Sequence, residues 1–126
     1  MPSFKPTDGE LQILQVLWSR GPSTVKEVNE QLSLKKDVGY TTSLKIMQIM
    51  HEKGLVDRKK DGRTHIYQAN VSREQTQKQM VDKLLDTAFK GSASQLVMQA
   101  LGNHKTSDEE LNKIRKFLDK LEGGNK

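Results

Sequence analysis

Cysteine is absent from the 126 residues, which excludes disulfides, thiolate metal sites and cysteine nucleophiles. Aromatic residues make up 5% of the chain and apolar residues 33%, little with which to close a self-contained core at this length. A second copy would supply cover. No apolar run approaches the length of a membrane span, and the opening MPSFKPTDGE has no apolar segment of the export kind. No membrane insertion is expected, and a cytoplasmic location follows as an expectation. His51, His65 and His104 lie far apart and lack ligand spacing to neighbouring carboxylates, so no metal site is expected. There is no glycine-rich phosphate loop and no Ser/His/Asp grouping to defend. Neither an enzyme nor a cofactor is expected.

What the chain has is charge. Charged residues are 29% of the total, with 21 Lys+Arg against 16 Asp+Glu and a net charge of +5. An excess of this size fits a polyanionic partner without identifying one. It is unevenly placed: between Lys35 and Arg63 there are eight basic residues and four acids, Asp37, Glu52, Asp57 and Asp61.

The periodicity predicts six helices and one hairpin, a mainly α chain. Thr7-Asp8-Gly9-Glu10 has the capping-box form and opens a helix to about Ser19. Leu11, Leu14, Leu17 and Trp18 share one of its faces, with Trp18 anchoring it in the core, and Gly21-Pro22 stops it. Thr24-Val25-Lys26-Glu27 repeats the box and opens a short helix to about Leu32, with Val25, Val28 and Leu32 inward. After a polar loop (Lys35-Lys36-Asp37) a third helix runs from about Tyr40 to Lys53. Leu44, Met47 and Met50 lie on its core side, and Gly54 suits its C′ position.

The period then changes from 3.6 to 2. The runs 55–60 and 63–69 flank Asp61-Gly62, and Asp-Gly between two such runs signals a hairpin on a type I′ turn. Three helices followed by a hairpin is the order of a winged helix-turn-helix. The remainder reads as helical. Ser72 caps a helix to about Lys90 that Gly91 closes, and a shorter one spans about 92–101 before a break at Gly102-Asn103. Ser107 caps a last helix with Leu111, Ile114, Leu118 and Leu121 at the narrow seam spacing of a coiled coil. Gly123-Gly124-Asn125-Lys126 reads as a frayed tail. Two domains are expected: a winged-helix DNA-binding domain over 1–71 and a helical dimerisation domain over 72–126.

In a helix-turn-helix the second helix of the pair presents its N-terminal side chains to base edges in the major groove. The outward positions of the third helix are Tyr40, Thr41, Thr42, Lys45 and Gln48, with Ile49 at the margin. Threonine offers a hydroxyl and a methyl, lysine reaches guanine acceptors or phosphate, and glutamine pairs with adenine; Tyr40 would help at the backbone. An ordinary solvated face would carry similar residues. Arg58, Lys59, Lys60 and Arg63 cluster at the hairpin tip, where fixed cations would bind phosphate without reading sequence. The bland account is charge protecting an exposed sheet edge. Over 72–121 the apolar residues Leu84, Leu85, Phe89, Leu96, Val97, Leu111, Ile114, Leu118 and Leu121 have no sheet or second layer to receive them. Packing back on their own chain and dimerisation are both open, and the two-fold symmetry a palindrome reader needs favours dimerisation.

With these elements placed, the chain resembles the penicillinase-repressor family (BlaI/MecI type) from about Thr7 to Leu121. The likeness is carried by Glu10-Leu11-Gln12-Ile13-Leu14 leading to Leu17-Trp18, Tyr40-Thr41-Thr42, and His51-Glu52-Lys53-Gly54-Leu55-Val56. Further on it is carried by Lys60-Asp61-Gly62-Arg63 with Ile66-Tyr67, Ser92-Ala93-Ser94-Gln95-Leu96-Val97 and Ser107-Asp108-Glu109-Glu110-Leu111. The resemblance implies a bacterial homodimeric repressor on a dyad operator, often of a β-lactamase or related resistance operon. In the penicillinase branch it also implies a membrane sensor-protease as partner, through which the repressor is cut at an Asn-Phe pair after a Leu-Val run. Here Leu96-Val97-Met98 is followed by Gln99-Ala100, and the pair is missing. The metal-binding cysteines of the copper-responsive branch are missing too. Lys45 and Ile49 stand where Thr and Arg often occur, so the operator sequence does not carry over. The reading from a different class is a winged-helix protein-interaction module without sequence-specific DNA binding.

Overall fold

The computed structural model describes residues 6–124. Its elements are α1 (Asp8–Arg20), α2 (Val25–Leu32), α3 (Tyr40–Lys53), β1 (Val56–Asp61), β2 (Thr64–Ala69), α4 (Arg73–Ala88), α5 (Ala93–Asn103) and α6 (Asp108–Gly124). Two compact units emerge, one up to Asp82 and one from Lys83 onward.

The first unit is built on helices whose ends the sequence specifies. The Thr7 hydroxyl accepts from the Glu10 amide at 3.2 Å, and Glu10 Oε1 accepts from the Thr7 amide at 2.9 Å. Thr24 and Glu27 repeat the arrangement at 3.1 and 2.9 Å. Each box satisfies two helix-end amides that burial would otherwise leave bare. α3 ends on Gly54, whose φ of 83° is left-handed. The Leu55 amide reaches back to the Met50 carbonyl and the Gly54 amide to that of His51, a Schellman closure that turns Leu55 into the core.

That core gathers Ile13, Leu14 and Leu17 from α1, Val25 and Val28 from α2, Met47 and Met50 from α3, and Leu55, Val56 and Tyr67 from around the hairpin. The stripe on α1 is Glu10, Ile13, Leu14 and Leu17, the i, i+3, i+4, i+7 set of a helix period. Leu11 and Trp18 flank it, partly buried, and so do Leu32 and Leu44. Trp18 works at the edge of the core: its indole N–H donates to the Val71 carbonyl at 2.9 Å, and the Arg73 guanidinium lies 5.7 Å from its ring centre.

The hairpin corrects the expected turn. Asp61 pairs with Thr64, so the two-residue loop is Gly62-Arg63 rather than Asp61-Gly62. Only Gly62 has positive φ there, 64°, the pattern of a II′ turn with glycine at the first central position. A type I′ turn on Asp61-Gly62 would force Asp61 into the left-handed region and set Lys60 opposite Arg63, like charges face to face. In the observed register Lys60 faces His65 and Arg63 occupies the tip. A third edge, absent from the sequence expectation, comes from the α1–α2 connection. Ser23 exchanges backbone hydrogen bonds with Tyr67 at 2.9 and 2.8 Å and ties that connection to the wing.

In the second unit none of the described residues is buried. Ser107 caps α6 as expected, accepting from the Glu110 amide, and Ser92 caps α5 by accepting from the Gln95 amide. The expected break at Gly102-Asn103 falls later. Asn103 closes the last turn of α5 by donating to the Gln99 side chain at 2.6 Å, and the backbone extends at His104. Of the expected frayed tail, Gly123 and Gly124 belong to α6 instead; Asn125 and Lys126 lie outside the described residues, as does the first half of the opening segment read for export.

Candidate nucleic-acid interface

α3 has two chemically distinct faces. Ser43, Met47 and Met50 are sealed inward. Tyr40, Thr41, Thr42, Lys45 and Gln48 are all exposed, with Ile49 beside them at 38%. The structure thus leaves the four anticipated groove residues, and Tyr40 expected at the backbone, on the solvent-facing side of the helix. The start of α3 also differs from those of α1 and α2. Its N-cap is Gly39, with no side-chain cap and no acidic residue in the first turn. The positive end of the helix is therefore uncompensated from within and suited to an anion.

Two polar contacts seat this helix, and the sequence reading missed both. Asn29 of α2 donates from Nδ2 to the Val38 carbonyl at 2.8 Å and to the Ser43 hydroxyl at 3.0 Å, fixing the loop that leads into α3 and its first turn. The available signal was Ser43 at 43, 47, 50 spacing, a core position holding a polar residue that requires a partner. At the other end, Lys53 Nζ donates to Glu10 Oε1 and Oε2 at 3.1 and 2.8 Å. Burial pushes the Glu10 carboxyl up, but Lys53 and Thr7 outweigh it and hold the carboxyl below its ordinary value. Glu10 therefore caps α1 and tethers the end of α3 with one carboxylate.

The wing distributes its cations. Arg58 shares a face with Tyr67 and donates to the buried tyrosine's hydroxyl at 3.4 Å, so it supports the wing as well as charging it. Lys60 continues that face opposite His65, Lys59 points from the other face opposite Ile66, and Arg63 lies in the turn. All four are exposed. His65 stands edge-on to Tyr67, with ring centres 6.4 Å apart.

In the second unit, Leu84, Val97, Leu118 and Leu121 are exposed and Leu85, Phe89, Leu96, Leu111 and Ile114 half-buried. Met98 and Phe117, which the seam spacing left out, are the most open of the large apolar side chains there, at 72% and 59%.

The family model described as "Penicillinase repressor" matches residues 6–120. The "Transcriptional regulator BlaI" of Mycobacterium tuberculosis is 32% identical over 119 residues, spanning 93% of this chain and 85% of that protein. The "Methicillin resistance regulatory protein MecI" of Staphylococcus aureus is 20% identical over 118 residues, 94% of this chain and 96% of that one. Among solved structures, the DNA-binding domain of the repressor BlaI aligns with a TM-score of 0.52 at 24% identity, over 58% of this chain and 90% of that domain. That likeness shows the fold, a winged helix.

Proposed function

The chain belongs to the penicillinase repressor family, and on that footing we propose that it is a sequence-specific DNA-binding transcriptional repressor acting in the cytoplasm as a homodimer on a dyad operator. The observation that carries this is the division of α3, with Ser43, Met47 and Met50 locked in the core while Tyr40, Thr41, Thr42, Lys45 and Gln48 stand free. Inserted in the major groove, Thr41, Thr42, Lys45 and Gln48 would read base edges and Tyr40 would meet the backbone. Each good base contact contributes about 1–3 kcal/mol of discrimination. Arg58, Lys59, Lys60 and Arg63 would neutralise phosphates along the wing, adding affinity that salt weakens.

Dimerisation falls to residues 72–126, where Leu84, Leu85, Phe89, Leu96, Val97, Leu111, Ile114, Leu118 and Leu121 would form the seam and a winged-helix domain over 1–71 would read each half-site. The regulated genes would be those of a β-lactamase or related resistance operon. A membrane sensor-protease controlling release by cleavage would need a site other than Gln99-Ala100.

An electrophoretic shift on the upstream region of the protein's own gene tests the reading. A shift that survives excess unrelated duplex at physiological salt is expected. Gln48→Ala should weaken it on that sequence alone, whereas Arg63→Ala should weaken binding to every sequence and reduce the salt slope by about 1. Equal retention of unrelated DNA, or a salt slope untouched by Arg63→Ala, would overturn it.

A further inference from the structure

Beside α1, the end of α2 and the loop 33–38 lies an open cavity of about 460 Å³, within the range of small-molecule sites. Its walls divide by chemistry. Val16, Leu32 and Val38 supply apolar surface, and Arg20, Lys35 and Lys36 bring three cations to it. No carboxylate is among the lining residues; Asp37, the acid of that loop, is not part of the wall. The charges are unequal in availability. Arg20 is held by Glu27 at 2.7 Å, while Lys35 and Lys36 have no ion-pair partner among the described residues. Glutamine and serine side chains (Gln12, Gln15, Ser19, Gln31) also line the cavity. Apolar surface together with two ammonium groups that lack an ion-pair partner complements a molecule with an apolar body and an anionic head.

We propose that this cavity is a binding site for a small amphipathic carboxylate, with its hydrocarbon against Val16 and Leu32 and its carboxylate between Lys35 and Lys36. Nothing in the DNA-reading role requires such a site, and it stands or falls separately. It does adjoin that role. The Val38 carbonyl accepts from Asn29 and, at 3.3 Å, from the Ser33 hydroxyl, and Val38 leads through Gly39 into α3. Occupancy therefore registers in the backbone at the start of that helix.

The experiment is a titration of the full ¹⁵N-labelled chain with octanoate, followed by amide shifts in the absence of DNA. Saturable shifts over residues 32–41 are expected, with a dissociation constant of about 0.1–5 mM for a ligand of this size. Octanamide, which keeps the tail and loses the charge, should bind at least about fivefold more weakly, and the double variant Lys35→Ala/Lys36→Ala should weaken octanoate about tenfold. The thermal midpoint of the double variant, expected unchanged at these exposed positions, controls for folding. Three results would each overturn the proposal: no saturation by about 20 mM octanoate, equal binding of octanamide, or octanoate binding undiminished in the double variant. If the double variant loses only DNA affinity while octanoate shifts are unaltered, the two lysines are phosphate contacts and do not hold the carboxylate, which overturns the proposal.

Discussion

Glu10 shows how much one side chain organises here. It is 3% exposed, and both of its oxygens are in use, Oε1 by the Thr7 amide and Lys53, Oε2 by Lys53 alone. Lys53→Met keeps the stem and removes the ammonium, leaving Oε2 buried without a partner. That should cost about 1–3 kcal/mol, read as a lower urea midpoint. The pH dependence follows from the lowered Glu10 carboxyl. Above the unfolded value of about 4.5 the carboxylate's contribution is fully present. As pH falls through the folded value the proton is taken up, and that stability is lost. Stability against urea should therefore decline below about pH 4.5, and Glu10→Gln should flatten that limb while lowering the neutral-pH plateau. The capping role of Glu10 was legible because Thr-x-x-Glu is a local pattern. Its bond to Lys53 was not, since 43 residues separate the two and nothing in spacing pairs them.

At the scale of elements, α3 was nearly fully legible. Its bounds, its Gly54 stop and its exposed stripe all follow from periodicity and one glycine. What holds it in place was not, because Asn29 is a polar residue inside a short helix with nothing local to assign its partners. Asn29→Ala should strip the Val38 carbonyl and the Ser43 hydroxyl of their shared donor. A loss of about 1–2 kcal/mol is expected in chemical denaturation, together with weaker DNA retention on all sequences, since the whole helix is displaced rather than one contact. The wing illustrates the opposite failure. Its strands were visible, but the register was set by a choice between two turns that local sequence allows. Placing the left-handed φ on Gly62 alone settled it. Gly62→Ala should cost about 1–2 kcal/mol in thermal or urea unfolding, whereas Asp61→Ala, which has no left-handed backbone to lose, should be near neutral.

For the whole molecule the question is what covers the helices beyond Lys83. Within that unit no described residue is buried, and Met98, Phe117, Leu118 and Leu121 are open to solvent. Exposed apolar surface on this scale is what a second copy would remove from water. Leu118→Glu should shift the sedimenting species from dimer to monomer at micromolar concentration, leave the fold of residues 6–82 intact by circular dichroism, and weaken retention of a dyad operator far more than that of a single half-site. The apolar positions Leu111, Ile114, Leu118 and Leu121 of α6 were legible from their 3-4-3 spacing. Phe117 and Met98 were not, because they fall outside the narrow stripe and only the three-dimensional arrangement leaves them bare.

Trp18 carries a practical consequence. It is the one tryptophan in the chain, and its indole N–H is held by Val71 while Arg73 stands over its ring. Its fluorescence is therefore a built-in gauge of the joint where the wing hands over to α4. Emission that reddens while far-ultraviolet ellipticity holds would mark the opening of that joint alone, and changes in ellipticity with a silent tryptophan would mark helix loss that leaves the joint closed. One optical cell can thus follow the joint apart from the helix content of the chain, with no label attached.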